Sequence, residues 1–186
     1  MKGMGVKDEI SYCFAGEQIL STDLSTDLSI DLSIGEVDIM IIHEATIEDY
    51  KGIYRLNKDG FGYDYPIEKT KDKLKIILGL PTDKIFIAEV DGEKVGYIHL
   101  SSYECTYSDS LKNILALVVD ESYRKMGIGR KLIETAEEWA KGLGAKGIRL
   151  VSGYNRTTAH QFYLSYGYVL RKEQKNFIKW FQDFNL

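Results

Sequence analysis

The sequence predicts an α/β domain with a mixed, mainly antiparallel sheet flanked by helices, and three observations carry that expectation. Short apolar or alternating runs recur at 39–42, 84–90, 94–103 and 111–119, as strands require. Between and after them, apolar residues fall at helical spacing around 47–57, 67–78, 128–143 and 159–166. Asp91-Gly92 joins two of the strand runs by a two-residue turn of the type that closes an antiparallel hairpin. At 186 residues the chain fills one well-packed domain and is short for two.

Residues 1–38 stand apart as an N-terminal extension, and 39–186 read as the domain. The extension repeats Ser21-Thr22-Asp23-Leu24, Ser25-Thr26-Asp27-Leu28 and Ser29-Ile30-Asp31-Leu32. Period two puts Leu24, Thr26, Leu28, Ile30, Leu32 and Ile34 on one face, so an extended accessory segment is expected, although Ser and Asp are poor strand residues and a polar repeat equally suits a disordered leader. A strand at 39–42 then leads to Thr46 and Asp49, spaced for a capping box ahead of a helix with inner residues Ile47, Tyr50 and Ile53. Residues 60–65 read as an aromatic loop. Pro66 suits the first turn of a second helix with inner face Ile67, Leu74, Ile77 and Leu78. The hairpin 84–103 follows, then a central strand over 111–119 that is nearly all apolar from Ile114. A long helix from Ile128 ends at Gly142 and Gly144, a strand covers 147–151, and a helix bearing Ala159, Phe162, Tyr163 and Tyr166 stops at Gly167. Two last strands are expected at 168–171 and 176–181.

Composition excludes several classes. A net charge of −4 gives no general nucleic-acid surface, so no nucleic-acid partner is expected. No apolar run is long enough to span a bilayer, no signal peptide opens the chain, and no membrane partner is expected. Two cysteines make no disulfide framework, which favours the cytoplasm. His43, His99 and His160 lack metal-ligand spacing, so no metal is expected.

Against this acidic background, Arg124, Lys125, Arg130 and Lys131 crowd a segment with Gly127 and Gly129 between the central strand and the long helix. Glycine lets a ligand approach bare N–H groups, and a helix start favours an anion. A Walker loop needs Gly-Lys-Ser/Thr, whereas Arg130-Lys131-Leu132 follows Gly129; a dinucleotide fingerprint needs a third glycine where Leu132 stands. The run Leu117-Val118-Val119-Asp120-Glu121, followed by Arg124-Lys125-Met126-Gly127-Ile128-Gly129-Arg130, resembles the acetyl-coenzyme A loop of the GNAT superfamily. The resemblance covers about 40–181 and implies a GNAT-like fold, with acetyl-coenzyme A as cosubstrate. It implies that Leu117, Val118 and Val119 offer backbone groups to the pantetheine arm, and that Arg124 to Arg130 wrap the pyrophosphate. Glu121 departs from the pattern, because proline is frequent there in the family.

The segment from Arg156 to Tyr168 is similar to the family helix Asn-x-x-Ala-x-x-Phe-Tyr-x-x-x-Gly-Phe. The resemblance implies that Tyr163 protonates the departing thiolate; by its pattern alone Tyr163 equally packs with Phe162 and Tyr166. Arg156 replaces the asparagine that many members use on the pantetheine arm. Asn155, one residue early, is the substitute ligand and also fits a helix cap. Histone-acetylating members carry a glutamate where Asn113 stands; His99, Glu104 or a water are the alternatives for the base. A site without a strong base suits a low-pKa amine. The implied activity is an N-acetyltransferase acting on a small-molecule or peptide amine. A non-catalytic acyl-coenzyme A sensor or partner subunit is the other reading, and a homodimer is compatible with either. The 61–65 segment falls where the family builds its acceptor pocket, with Asp64 available to an ammonium.

Overall fold

The computed structural model describes residues 10–13 and 39–181. The chain divides into two compact units, Met1–Leu150 and Val151–Leu186.

The first unit holds one sheet in sequence order, β1 (Ile10–Cys13), β2 (Ile39–Glu44), β3 (Asp83–Val90), β4 (Glu93–Cys105), β5 (Ser108–Val119) and β6 (Ile148–Leu150). Every neighbouring pair is antiparallel except β5 and β6, which run parallel. The backbone of β1 pairs along β2 through Ile10↔Ile42 to Cys13↔Ile39. The repeat at 21–32 lies outside the described residues. Asp91 and Gly92 both take positive φ, 49° and 84°, as a hairpin turn that matches strand twist demands.

Alternation along the strands builds two cores. Ile85, Ile87, Tyr97 and Val118 face α1 (Tyr50–Leu56) and α2 (Ile67–Leu78), meeting Ile53, Leu56 and Leu74. On the other face α3 (Ile128–Gly142) buries Ile128, Leu132, Ile133, Ala136 and Ala140, and Trp139 meets Phe86 edge-on at 6.4 Å. The α1 entry follows the predicted box: the Asp49 carboxylate accepts from the Thr46 N–H at 2.7 Å and its hydroxyl at 3.1 Å, ahead of a single 3₁₀ turn. α3 ends in a Schellman motif, with Ala145 N–H donating to Ala140 O and Gly144 N–H to Lys141 O at φ 76°.

Several expectations change. Gly60 and Phe61 are not loop: the chain continues from α1 as a wide π-type turn over Asn57–Phe61, closed by Gly62 at φ 77°. The reason is packing, since a Cβ on Gly60 would sit 2.3 Å from Val118 Cγ2, so glycine brings this turn down onto β5. Leu78 and Leu143 are exposed; the buried positions of α2 are Thr70 and Leu74.

In the second unit α4 (Thr157–Ser165) ends in another Schellman motif. Tyr168 N–H donates to Tyr163 O and Gly167 N–H, at φ 80°, to Leu164 O. The cap at the helix start is Arg156 rather than Asn155, and no side-chain bond closes it. The strands expected at 168–171 and 176–181 do not form. A strand is held by a neighbour's ladder, and among the described residues neither segment has one.

Candidate functional site

The site begins where β5 loses a neighbour. β6 pairs with β5 only through Lys112↔Ile148, Asn113↔Arg149 and Ile114↔Leu150. Beyond Ile114, among the described residues, residues 115–119 are laddered on the β4 side alone, so outward backbone groups there can take a ligand. At the divergence the register slips: His99 pairs with Ala116 and Leu100 with Ile114, which leaves Leu115 as a bulge, 54% exposed. Leu117, Val118 and Val119 pair with Ile98, Tyr97 and Gly96. Their side chains are held by the two cores while one backbone edge stays open.

The strand runs directly into the predicted anion loop. Asp120 accepts from Ser122 N–H at 3.0 Å and is gripped by Arg55, which also donates to Lys94 O at 2.7 Å. This ties the end of β5 to α1. Arg55 holds the Asp120 carboxyl below the usual carboxylate range, against the upward push of partial burial. A short turn over Glu121–Tyr123 leads to Arg124, whose Nε donates to Val119 O at 3.4 Å. Lys125 (φ 66°) and Gly127 (φ 82°) are both left-handed and fold the chain back sharply before α3 starts at Ile128. Ile128 is buried, which fixes the helix start; its first N–H groups, including those of Gly129 and Arg130, precede any intrahelical acceptor. The positive end of α3 therefore lies beside the open edge of β5. The basic crowd is partly offset. Arg130 and Lys131 pair with Glu134 at 2.7 and 3.3 Å, and Arg124 with Glu121 at 3.4 Å. These exposed pairs are weak and can exchange for a phosphate.

On the α1–α2 face of the β3–β4 pair lies a pocket of about 130 Å³ bounded by Ile53, Asn57, Leu74, Ile85, Tyr97 and His99, among others. The Tyr97 hydroxyl donates to Asn57 Oδ1 at 2.5 Å, and burial pushes that phenol far above its ordinary pKa. His99 Nε2 lies 2.9 Å from Asp83 Oδ1, both side chains nearly buried. Burial lowers the pKa of His99, and Asp83 opposes that in part.

The other candidates are occupied. Asn113 Oδ1 accepts from Arg149 Nη1 at 2.7 Å, and the Arg149 guanidinium lies 4.3 Å from the Tyr103 ring centroid. Glu104 accepts from Ser110 Oγ at 2.7 Å near the tip of the β4–β5 hairpin. Asp64 binds Lys58 Nζ at 3.0 Å and the Tyr54 hydroxyl at 2.8 Å, so it is already paired with a cation.

In the second unit Tyr163 packs edge-on against Phe162 at 5.4 Å and Tyr168 at 5.5 Å. The Tyr168 contact is the apolar clasp of the Schellman turn. Burial raises the phenol's pKa and Arg156 pulls the other way, which leaves a protonated hydroxyl at neutral pH. Asn155 lies in the turn before α4, outside the cap itself.

Sequence reading missed the Arg55–Asp120 tie, the close approach of Gly60 and the Asp83–His99 pair. Each joins segments far apart in the chain, and only Gly60 left a local trace.

Residues 50–168, more than half of the chain, match the acetyltransferase (GNAT) family. An aminoalkylphosphonate N-acetyltransferase of Salmonella typhimurium is 31% identical over 135 residues, covering 70% of this chain and 88% of the relative. A streptothricin acetyltransferase of Escherichia coli is 37% identical over 83 residues, 45% of each chain. Among solved structures, the aminoglycoside N-acetyltransferase AAC(6')-Iy in complex with CoA superposes with a TM-score of 0.71 at 17% identity, covering 78% of this chain and 98% of that one. That likeness supports the fold. The chain belongs to the GNAT family of acetyltransferases and is an acyl-coenzyme A-dependent N-acyltransferase.

Proposed function

We propose that the protein moves an acetyl group from acetyl-coenzyme A to a primary amine of a small molecule or peptide, with residues 39–186 carrying the chemistry. The observation that carries this reading is the open edge of β5 at 115–119 leading into the left-handed Gly127 and the start of α3. An extended, amide-bearing arm suits the first part and a pyrophosphate the second. In this reading Leu117, Val118 and Val119 hold the arm through backbone groups. Arg124, Lys125, Met126, Gly127, Ile128, Gly129 and Arg130 hold the pyrophosphate, and Asn155 adds a side-chain ligand. Acetyl-coenzyme A supplies the acyl thioester.

Tyr163 supplies the proton that the thiolate takes up, a role suited to a phenol that burial keeps protonated. The relatives, an aminoalkylphosphonate and a streptothricin acetyltransferase, favour a small amine over a protein acceptor.

Isothermal calorimetry with acetyl-coenzyme A on the wild type and Gly129→Phe tests the loop. The bulky side chain should weaken binding at least tenfold while circular dichroism stays unchanged. Equal affinity in the two proteins would remove the pyrophosphate from this loop.

A further inference from the structure

We propose that the cavity between α1, α2 and the β3–β4 pair is the acceptor pocket, and that His99, held by Asp83, takes the proton from a slender primary ammonium seated there. The proposal rests on the acyl-transfer reading above and adds the substrate class and the base.

Position is the first support. Residues 115–119, the open stretch on which the acyl-transfer reading lays the arm, span about 13 Å at roughly 3.3 Å per residue and end at the Leu115 bulge. The residue just past that bulge, Ala116, is the direct cross-strand partner of His99. His99 also lines the cavity. The cavity and the far end of that open stretch therefore meet at one strand pair.

Size and lining give the substrate class. The pocket holds about 130 Å³ and opens to solvent. Ile53, Leu74 and Ile85 form apolar wall; Asn57, Thr70, Lys73, Tyr97 and His99 are among the residues that bring polar atoms. One alkyl or aryl stem with its amine fits, and the rest of a larger acceptor stays outside.

The imidazole is set up as an acceptor. Nε2 faces Asp83 Oδ1, so the N–H sits on Nε2 and the lone pair on Nδ1. Asp83 from β3 sits on its Nε2; the titratable groups that line the cavity with it are Lys73 from α2, Tyr65 from the α1–α2 connection and Tyr97 from its own strand, and its cross-strand partner on β5 is Ala116. Burial keeps His99 neutral at pH 7, and Asp83 stabilises the imidazolium once formed. Tyr97 stays a phenol, engaged with Asn57, and does not compete.

The ammonium passes one proton to Nδ1. The freed nitrogen pair forms the C–N bond at the thioester carbonyl carbon, and the carbonyl π pair moves to oxygen. When that pair returns, the C–S bond breaks and sulfur leaves with its electrons. The second nitrogen proton balances the one the thiolate takes up, and His99 returns its proton to water. Ammonium and thioester give amide, thiol and one released proton.

The full-length protein, with acetyl-coenzyme A and either n-butylamine or 2-phenylethylamine, provides the assay. Wild type should turn both over, with kcat/KM falling on the acid side through an apparent pKa below about 6.5. His99→Gln should lose about 100-fold in kcat at pH 7 and lose that acid limb, its rate following amine ionisation instead, with acetyl-coenzyme A affinity unchanged. Asp83→Asn, which removes the stabilising charge, should keep a limb displaced to lower pH. An unaltered pH profile in folded His99→Gln would overturn the proposal, as would a wild type that binds acetyl-coenzyme A yet acetylates neither amine. If the variants do not fold, nitrogen-15 NMR of wild-type His99 decides: a proton on Nδ1 at pH 7 overturns it, and an Nε2–H tautomer whose Nδ1 signal moves with n-butylamine supports it. Failure to bind acetyl-coenzyme A would instead overturn the acyl-transfer reading, and this proposal with it.

Discussion

Replacing Tyr163 by phenylalanine removes one hydroxyl and leaves both edge-on ring contacts, with Phe162 and Tyr168, in place. The Schellman bonds are backbone bonds and also survive. Stability should therefore shift little, and acetyl-coenzyme A affinity should hold. Turnover should fall roughly ten- to a thousand-fold, towards the lower part of the range for positioned acids, because a thiolate of ordinary pKa leaves partly unaided. The deficit should shrink with an acyl donor whose thiol is more acidic. Steady-state kinetics with two such donors measure it, and full activity in the variant with acetyl-coenzyme A would leave Tyr163 only its packing role.

At the scale of elements, the pairing of β5 with β6 decides what Asn113 can become. A glutamate there looks, on the sequence, like restoration of the base seen in histone-acetylating members. In the structure Asn113 faces the Arg149 guanidinium across the β5–β6 pair, 2.7 Å from Nη1. A carboxylate in its place would pair with Arg149, which lowers its pKa and makes it a poor proton acceptor. Asn113→Glu is thus expected to fold normally and to give no gain in turnover with lysine-type amines across pH 6 to 9. A rate increase would show that the Arg149 pair opens during catalysis. The same strand shows why the loop is rigid on one side. Arg55 and Ser122 clamp Asp120, and the buried Ile128 pins α3, so the left-handed turn at Lys125 and Gly127 is suspended between two fixed points.

For the molecule as a whole, ligand binding and folding are linked. A ligand that needs the β5 edge and the α3 start together binds only the folded state. At 100 times its Kd, coenzyme A should add about 2.7 kcal/mol to the free energy of unfolding. For a domain of this size that raises Tm by roughly 5–10 °C. Differential scanning fluorimetry over a coenzyme A series checks it, and a flat Tm would mean that the two parts do not form one binding surface. Among the described residues no helix is long and apolar enough to cross a membrane, and no cluster of His, Cys, Asp and Glu is arranged for a metal ion.

Local chemistry alone determined a large part of this protein. The Asp91-Gly92 turn, the Thr46–Asp49 box, the glycine stops of α3 and α4 and the basic glycine loop are each written in a few consecutive residues, and each appears where expected. The rest depended on pairings that no short segment contains. Counting outward from the Asp91-Gly92 turn would set His99 opposite Lys84 and turn Asp83 to the other face of the sheet. An extra residue on β4, Val95, between the pairs Ala88↔Gly96 and Glu89↔Lys94, shifts the ladder by one. His99 then pairs with Ile85, and Asp83 shares its face. The second slip, at Leu115, does the same where β5 pairs with β4. A one-residue bulge reverses which side chains meet, and its place is set by packing on both faces of the sheet rather than by the residues it displaces.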